Sequence, residues 1–461
     1  MTTINKIKEL TLASGLAVML AFVSLTGCSS VQAKADTSSS ETPSESQMHG
    51  SKGAPDGSKG SREGSKGKPG GGGGSSANVS YTGATTLSTD VTESGKTYES
   101  MSDSQQALLV SGGSSAISNA TVTKSGDADG DEADFYGTNA AVLAYNGANL
   151  TLTNSKVTTD GKHANAVFAY NNGTINIKDS TINTSNDCSG GIMVTGGGTL
   201  TADNLTVTTQ GRSSAAIRSD RGGGTMTING GTYTTNGVGS PAVYSTANIT
   251  VNNANLISNV SEGLIVEGKN SITINNTTVK DNNTKLNSNS GTYKNVFLYQ
   301  SMSGDADEGT AQFTAKDSTL ITENGDTIYV TNTTAKIYLE NNTITNTVGE
   351  FLRIEAGKWG REGSNGGNVT LEMNNQKVTG SIIADSISTL DLTLKNGSSF
   401  TGAIDAANQA KEIKLSLSKD SVINLTADSY VDSLENEQAD NSNIHGNGYK
   451  LYVGGKEVAI K

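Results

Sequence analysis

The chain has 461 residues but only 2 cysteines, 4 prolines, 3 histidines and 1 tryptophan, and 5% of it is aromatic. Each shortage excludes something. Two cysteines allow one disulfide at most, so a cysteine-stapled scaffold is ruled out. Few prolines leave ladder donors intact almost everywhere, which suits a chain made of strands. Of the histidines, His445 lies near the C-terminus, and neither His49 nor His163 has a visible partner. A general base needs a positioned partner, and none is legible. Long hydrophobic runs are lacking as well: the run from Leu12 to Val23 is shorter than the roughly 20 residues that span a bilayer. Basic residues are outnumbered. Beyond residue 77 the net charge is −14, from 25 basic and 39 acidic side chains. That balance argues against nucleic acid, whose phosphates require basic patches.

What is present begins with Lys6 and Lys8, ahead of an apolar segment with the length of a signal-peptide core. It ends in Leu25-Thr26-Gly27-Cys28, which resembles the bacterial lipobox. The resemblance implies a signal peptide over 1–27, removed before Cys28, and a diacylglyceryl group on the Cys28 thiol. Two or three acyl chains anchor stably where one does not. The expected location is the extracellular face of a bacterial cell membrane. A lipidated Cys28 excludes a disulfide between the two cysteines, and Cys188 reads as a small buried or turn residue. Residues 28–77 are rich in Ser, Gly, Lys and Pro, with Gly50-Ser51-Lys52-Gly53 recurring from Gly57 and from Gly64. So little apolar surface cannot offset the entropy of ordering. The segment is expected to be a disordered tether with a reach of roughly 40 Å.

From there three apolar columns recur. The first comprises Leu150/Leu152, Ile175/Ile177, Leu200/Ala202, Met226/Ile228, Ile249/Val251 and Ile272/Ile274. The second is Val157, Ile182, Val207, Tyr233, Ile257 and Val279; the third is Val142, Val167, Ile192, Ile217, Val243 and Leu264. The steps of the first column run from 23 to 26 residues. Three short strands per turn of that length predict an all-β parallel β-helix. Turn-forming pairs such as Asn154-Ser155 and Asp179-Ser180 separate the first two columns, and Asn and Asp tolerate left-handed backbone. The first column continues through Phe313, Ile337/Leu339, Val369/Leu371, Leu392/Leu394 and Leu415/Leu417, with an insertion before Val369. Roughly a dozen coils of about 4.8 Å give a rod near 60 Å long. The solenoid is placed at 114–427, between an N-terminal cap at 78–113 and a C-terminal cap at 428–461.

The repeated segments Gly196–Thr201, Gly222–Gly230 and Glu267–Val279 resemble the pectate-lyase-like right-handed β-helix superfamily. Within it they are most similar to the adhesin-like or carbohydrate-binding β-helix lipoproteins of Gram-positive bacteria. The resemblance implies a right-handed solenoid. It leaves activity open, because many functions sit on one such fold. Lyases of the superfamily use a basic residue beside a uronate, often with calcium. Arg218-Ser219-Asp220-Arg221 is the nearest counterpart, and it lacks the proline-containing arginine motif. The paired aspartates and Gly-His-Gly segment of the hydrolases are absent too. The plain alternative for Arg218 and Arg221 is an exposed charged edge.

Two further features point to ligands. Asp127, Asp129, Asp131 and Asp134 lie in one acidic insertion, a candidate calcium loop whose alternative is a solvated turn. In the third column, parity sends Leu143, Phe168, Met193, Arg218, Tyr244, Ile265, Phe297, Tyr329 and Arg353 outward, with Tyr145, Tyr170 and Tyr299 in the next row. An exposed apolar strip of this kind marks an interaction surface. Phe168, Tyr145, Tyr170, Tyr244, Phe297, Tyr299, Tyr329 and Trp359 are therefore the candidate ligand-binding residues, with polysaccharide or a surface glycan as the partner. A competing account folds an insertion over the strip. The expected function is a non-catalytic, adhesin-like surface lipoprotein. Its rivals are a polysaccharide lyase or hydrolase and a structural spacer.

Overall fold

A computed structural model describes residues 79–287 and 291–461; the expected signal peptide, Cys28 and the expected tether lie outside the described residues. The chain winds as an all-β parallel solenoid of about 15 turns, which at about 4.8 Å per turn is about 70 Å long. The third column stacks into a 12-stranded sheet running from Gly83–Leu87 to Ile382–Ala384. The first and second columns merge into a 22-stranded sheet, because in two coils single strands, Gly198–Thr209 and Gly224–Thr235, run through both. The second column resumes as four strands from Lys377–Thr379 to Ile444–His445. The strand Leu451–Val453 meets Lys456–Val458 antiparallel and ends the stack.

The register follows from inward aliphatics. Val142, Val167, Ile192, Ile217, Val243 and Leu264 pair in succession along the third column. Leu150, Ile175, Leu200, Met226, Ile249 and Ile272 do the same along the first. All twelve are buried in one continuous core. The turns hold the coils together from outside. Asn154, Asp179, Asn204, Asn253, Asn276, Asp317 and Asn341 all adopt left-handed backbone, which Asn and Asp tolerate best. Their side chains bond from coil to coil: Asn204 donates to Asp179 at 2.8 Å, Asn276 to Asn253 at 2.7 Å and Asn341 to Asp317 at 2.6 Å.

Four expectations need correction. Ile257 is half-exposed, and Leu256 takes its place between Tyr233 and Val279. The inward pair after Ile337/Leu339 is Leu371/Met373, with Val369 opposite Ala335, so the coil is two residues longer than expected. The stretch at 78–113 does not break the pattern. Gly83–Leu87, Val91–Ser94 and Thr97–Ser100 form a three-stranded coil paired in parallel to the next. At the other end, Ser433–Asn436 and Ile444–His445 still continue the parallel ladders. These end coils account for the difference between a dozen turns and about 15.

Candidate functional site

The outward row is where parity puts it. Leu143, Phe168, Met193, Arg218, Tyr244, Ile265, Phe297, Tyr329 and Arg353 pair in unbroken succession. Its exposure is not as expected. Phe168, Tyr244, Phe297, Tyr299 and Tyr329 are all buried, forming two apolar clusters outside the solenoid's core. Three insertions make a roof over them.

The acidic insertion supplies the first part, folding into a one-and-a-half-turn helix, Asp131–Tyr136, with Phe135 fully buried. Behind it, Gly137 lies so close to the strip that an added Cβ would stand 3.1 Å from both Leu143 and Phe168. Gln106 Nε2 holds the carbonyls of Gly137 and Thr138 at 2.9 and 2.6 Å. The insertion at 300–309 and a glycine-rich one at 355–366 cover the rest. Beneath them Phe297 stacks on Tyr299 at 4.5 Å and on Tyr329 at 5.4 Å. Trp359 is half-buried, 6.3 Å from the Tyr299 ring, packed on the strip as part of the roof rather than standing free as a platform.

Charged groups pin this roof. Arg218 is buried and forks onto Asp220, at 2.8 and 3.2 Å, and is not an exposed edge. Burial pushes the Asp220 carboxyl up to about 7, outweighing the pull of Arg218. Arg221 clasps two insertions: its Nε meets Asp305 at 2.7 Å, its Nη1 meets Asp131 at 3.6 Å, and its guanidinium lies 3.9 Å over the Phe135 ring. Glu267 is fully buried and accepts from Tyr299 at 2.8 Å, as well as from Tyr244 and Ser301. Burial raises its carboxyl above the ordinary range despite these donors.

The four aspartates of the acidic insertion do not converge on one point. Asp127 accepts from the Lys162 backbone N–H at 2.8 Å, Asp131 faces Arg221, and Asp134 meets His163 Nδ1 at 3.0 Å. Asp131 and Asp134 stand on the short helix, where Arg221 and His163 engage them, while Asp127 and Asp129 precede it. Among the described residues, the cluster whose donor atoms come together is Asp134, His163 and Cys188, all buried and within 4.8 Å of one another. His163 thus has the partner that the sequence did not reveal. Cys188 is buried in left-handed backbone, as a turn residue.

Two aromatic candidates keep part of their surface. Tyr145 and Tyr170 are half-buried and join Tyr81, whose ring is 4.4 and 6.4 Å from theirs, and Tyr136, 5.5 Å from Tyr170.

The roof also creates open space. Where the third column turns into the first, a groove of about 430 Å³ has a floor of Asn332, Thr333 and Thr334. One wall is Gln300, Met302, Glu308, Gly309 and Thr310, and the other is Gly360, Arg361, Ser364, Gly366 and Asn368. The walls belong to the coils on either side of the floor, so they stand about two strand spacings, or about 10 Å, apart. Apart from Arg361 and Glu308, the lining is amide, hydroxyl, glycine and one methionine. A smaller groove of about 300 Å³ lies on the other side of the 300–309 insertion, lined by Gly222, Thr246, Lys269, Asn270 and Asp307 among others. Sequence reasoning missed both grooves.

Coil geometry, inward ladders and asparagine-capped turns define the chain as a parallel β-helix protein. A family model described as the right handed beta helix region matches residues 106–279 and 165–344, together more than half of the chain, and the chain belongs to that family. Compared with curated proteins and with solved structures, it matches none.

Proposed function

We propose that the chain is a non-catalytic surface protein that binds polysaccharide, displayed outside the cell on the lipid anchor implied at Cys28. The observation that carries this reading is the polar groove between the 300–309 and 355–366 insertions. Its size lies in the range of ligand sites. Its amides and hydroxyls match a ligand made of hydroxyl groups, and its walls leave room for a single extended sugar chain. The groups with obvious catalytic chemistry, Arg218, Asp220 and Glu267, are instead buried and engaged with one another's neighbours beneath the roof.

A second reading, polysaccharide cleavage, is favoured by one observation. Asp220 has a carboxyl near 7, the range of a general acid at neutral pH. One experiment addresses both. The protein is incubated with insoluble cellulose, xylan, mannan and starch, and both retention and release of soluble sugar are measured. Retention without release, lost in the double variant Arg361→Ala/Asn368→Ala at unchanged melting temperature, supports binding at the groove. Sugar release abolished by Asp220→Asn replaces it with the enzyme. No retention and no release on any polymer removes both.

A further inference from the structure

Met302 is the feature of the groove that folding alone does not account for. It is 58% exposed, one of few large apolar side chains in the described residues so open to water. Its φ is +72°. The other described non-glycine residues with left-handed backbone are Asn, Asp, Ser, His and Cys; Met302 is the one aliphatic side chain among them. A side chain with a Cβ is disfavoured in that region, and Met lacks the short polar group with which Asn and Asp compensate. The residue is thus strained and exposed at once, and neither condition favours the fold.

The surroundings hold it there. Ser301 Oγ donates to buried Glu267, and accepts from the Ser303 N–H at 3.1 Å. Ser303 Oγ donates to Asp305 at 2.9 Å, and Asp305 is clasped by Arg221 at 2.7 Å. Both neighbours of Met302 are therefore tied to the roof, and the left-handed turn presents its side chain at the wall of the groove. Strain over-determined by its surroundings concentrates at ligand clamps. An exposed thioether chain is flexible and polarisable, suited to an apolar face of variable contour.

We infer that Met302 is an apolar lip of this groove that packs on the C–H face of a pyranose ring in a neutral polysaccharide, while amides and hydroxyls of the floor and far wall bind its hydroxyls. The inference rests on the binding reading above and adds to it the ligand's class and a specificity residue. Neutral chains are preferred because Glu308 and Arg361 offset each other in the lining. The −14 charge beyond residue 77 also repels polyanions.

The test uses Met302→Asn and Met302→Leu in the full chain, with cellulose, xylan, mannan and starch as neutral probes and polygalacturonate as the anionic one. Asn suits the backbone and removes the apolar surface; Leu keeps apolar surface. The expected result is wild-type retention on at least one neutral polymer and not on polygalacturonate. Met302→Asn should then lose retention at least fivefold while melting no lower than wild type, and Met302→Leu should keep most of it. Unchanged retention by Met302→Asn, in a protein whose Arg361→Ala/Asn368→Ala variant has lost it, overturns the role of Met302 and leaves the groove standing. A clear fall in the melting temperature of Met302→Asn overturns the strained clamp. Retention on polygalacturonate alone overturns the neutral class. If wild type is retained by none of the polymers, the binding reading itself falls.

Discussion

Asp281 offers a test of the solenoid's interior. It ends the strand Thr278–Asp281, in a row where neighbouring coils place Thr235, Ser258 and Thr322. Its side chain is fully buried, and beyond a contact with the Asn283 backbone neither carboxyl oxygen has a hydrogen-bond partner. Nearby, Glu262 is buried as well, and Lys294 is committed to it at 2.9 Å. Burial first, and then the Glu262 charge, push the Asp281 carboxyl from 3.8 up to about 9. The folded protein therefore holds Asp281 protonated at neutral pH, whereas the unfolded chain releases that proton. A raised carboxyl stabilises the fold fully below about pH 4, and that contribution is lost as the pH climbs toward about 9. At pH 7 the cost is about 4 kcal/mol, at about 1.36 kcal/mol per pH unit above the ordinary value. Replacing Asp281 with Asn, a neutral isostere, should leave stability near pH 4 unchanged and raise it at pH 7 and pH 9. Between pH 5 and pH 9 the wild type should lose up to about 5 kcal/mol relative to the variant. Urea unfolding followed by circular dichroism at pH 5, 7 and 9 measures this difference directly. If Asp281 is instead ionised and paired with Lys294, Asp281→Asn will be the less stable protein at pH 7, and the reasoning is refuted. Parallel pH dependence of the two proteins would refute it as well.

Other expectations follow from the same structure. Ile192→Asp puts a charge inside a coil and should cost several kcal/mol, whereas Thr201→Asp, on a half-exposed outward position, should be mild; equal losses in thermal melts would contradict the assigned parity. Phe168→Ala should cost about 3–5 kcal/mol, as a buried aromatic under Gly137 does and an exposed binding platform does not; a melting temperature equal to wild type would return the strip to the surface. Arg221→Ala strands the buried Asp305 carboxylate and should cost about 2–3 kcal/mol, less than for a fully buried pair because Arg221 is 37% exposed. Hydrogen exchange should then quicken at 131–136 and 300–309 ahead of the rest, and uniform protection would argue against the clasp. Cys28→Ser should release the protein from membranes or block signal removal; unchanged fractionation and migration would remove the lipid anchor.

The fold was largely legible because one coil repeats its chemistry with little variation. Where two adjacent or alternate positions were both apolar, the register was not. Leu256 and Ile257 stand side by side, and only the pairing with Tyr233 and Val279 decides which turns inward. Val369, Leu371 and Met373 alternate as a triplet, so a slip of two residues keeps an apolar residue inward at either setting. The small Ala335 opposite Val369 resolves it. The missed first coil has the opposite origin: Thr and Ser at 83–100 carry strand geometry without a strong apolar column.

The candidate site was less legible, for a reason that concerns what an apolar outer strip means. On a solenoid, an outward aromatic row is either a surface that waits for a partner or a bed for the chain's own insertions. Parity fixes its direction and says nothing of its cover. The distinguishing signal lay in the insertions. Asp127 to Asp134 reads as a solvated loop by charge, yet Ala133, Asp134 and Phe135 are all buried in a short helix, and Gly137 provides the close approach. The groove needed more than that. Its walls come from the 300–309 and 355–366 insertions, which meet only because both leave the same corner of coils flanking 332–334. The breaks in period mark those insertions, as a step of 41 residues at Thr277–Ser318 and one of 34 at Thr331–Asn365. Two lengthened turns at one corner, with a single coil between them, stand as facing walls, because two strand spacings set their separation at about 10 Å. Composition then decides what such walls retain, and here it is amide and hydroxyl with one strained methionine.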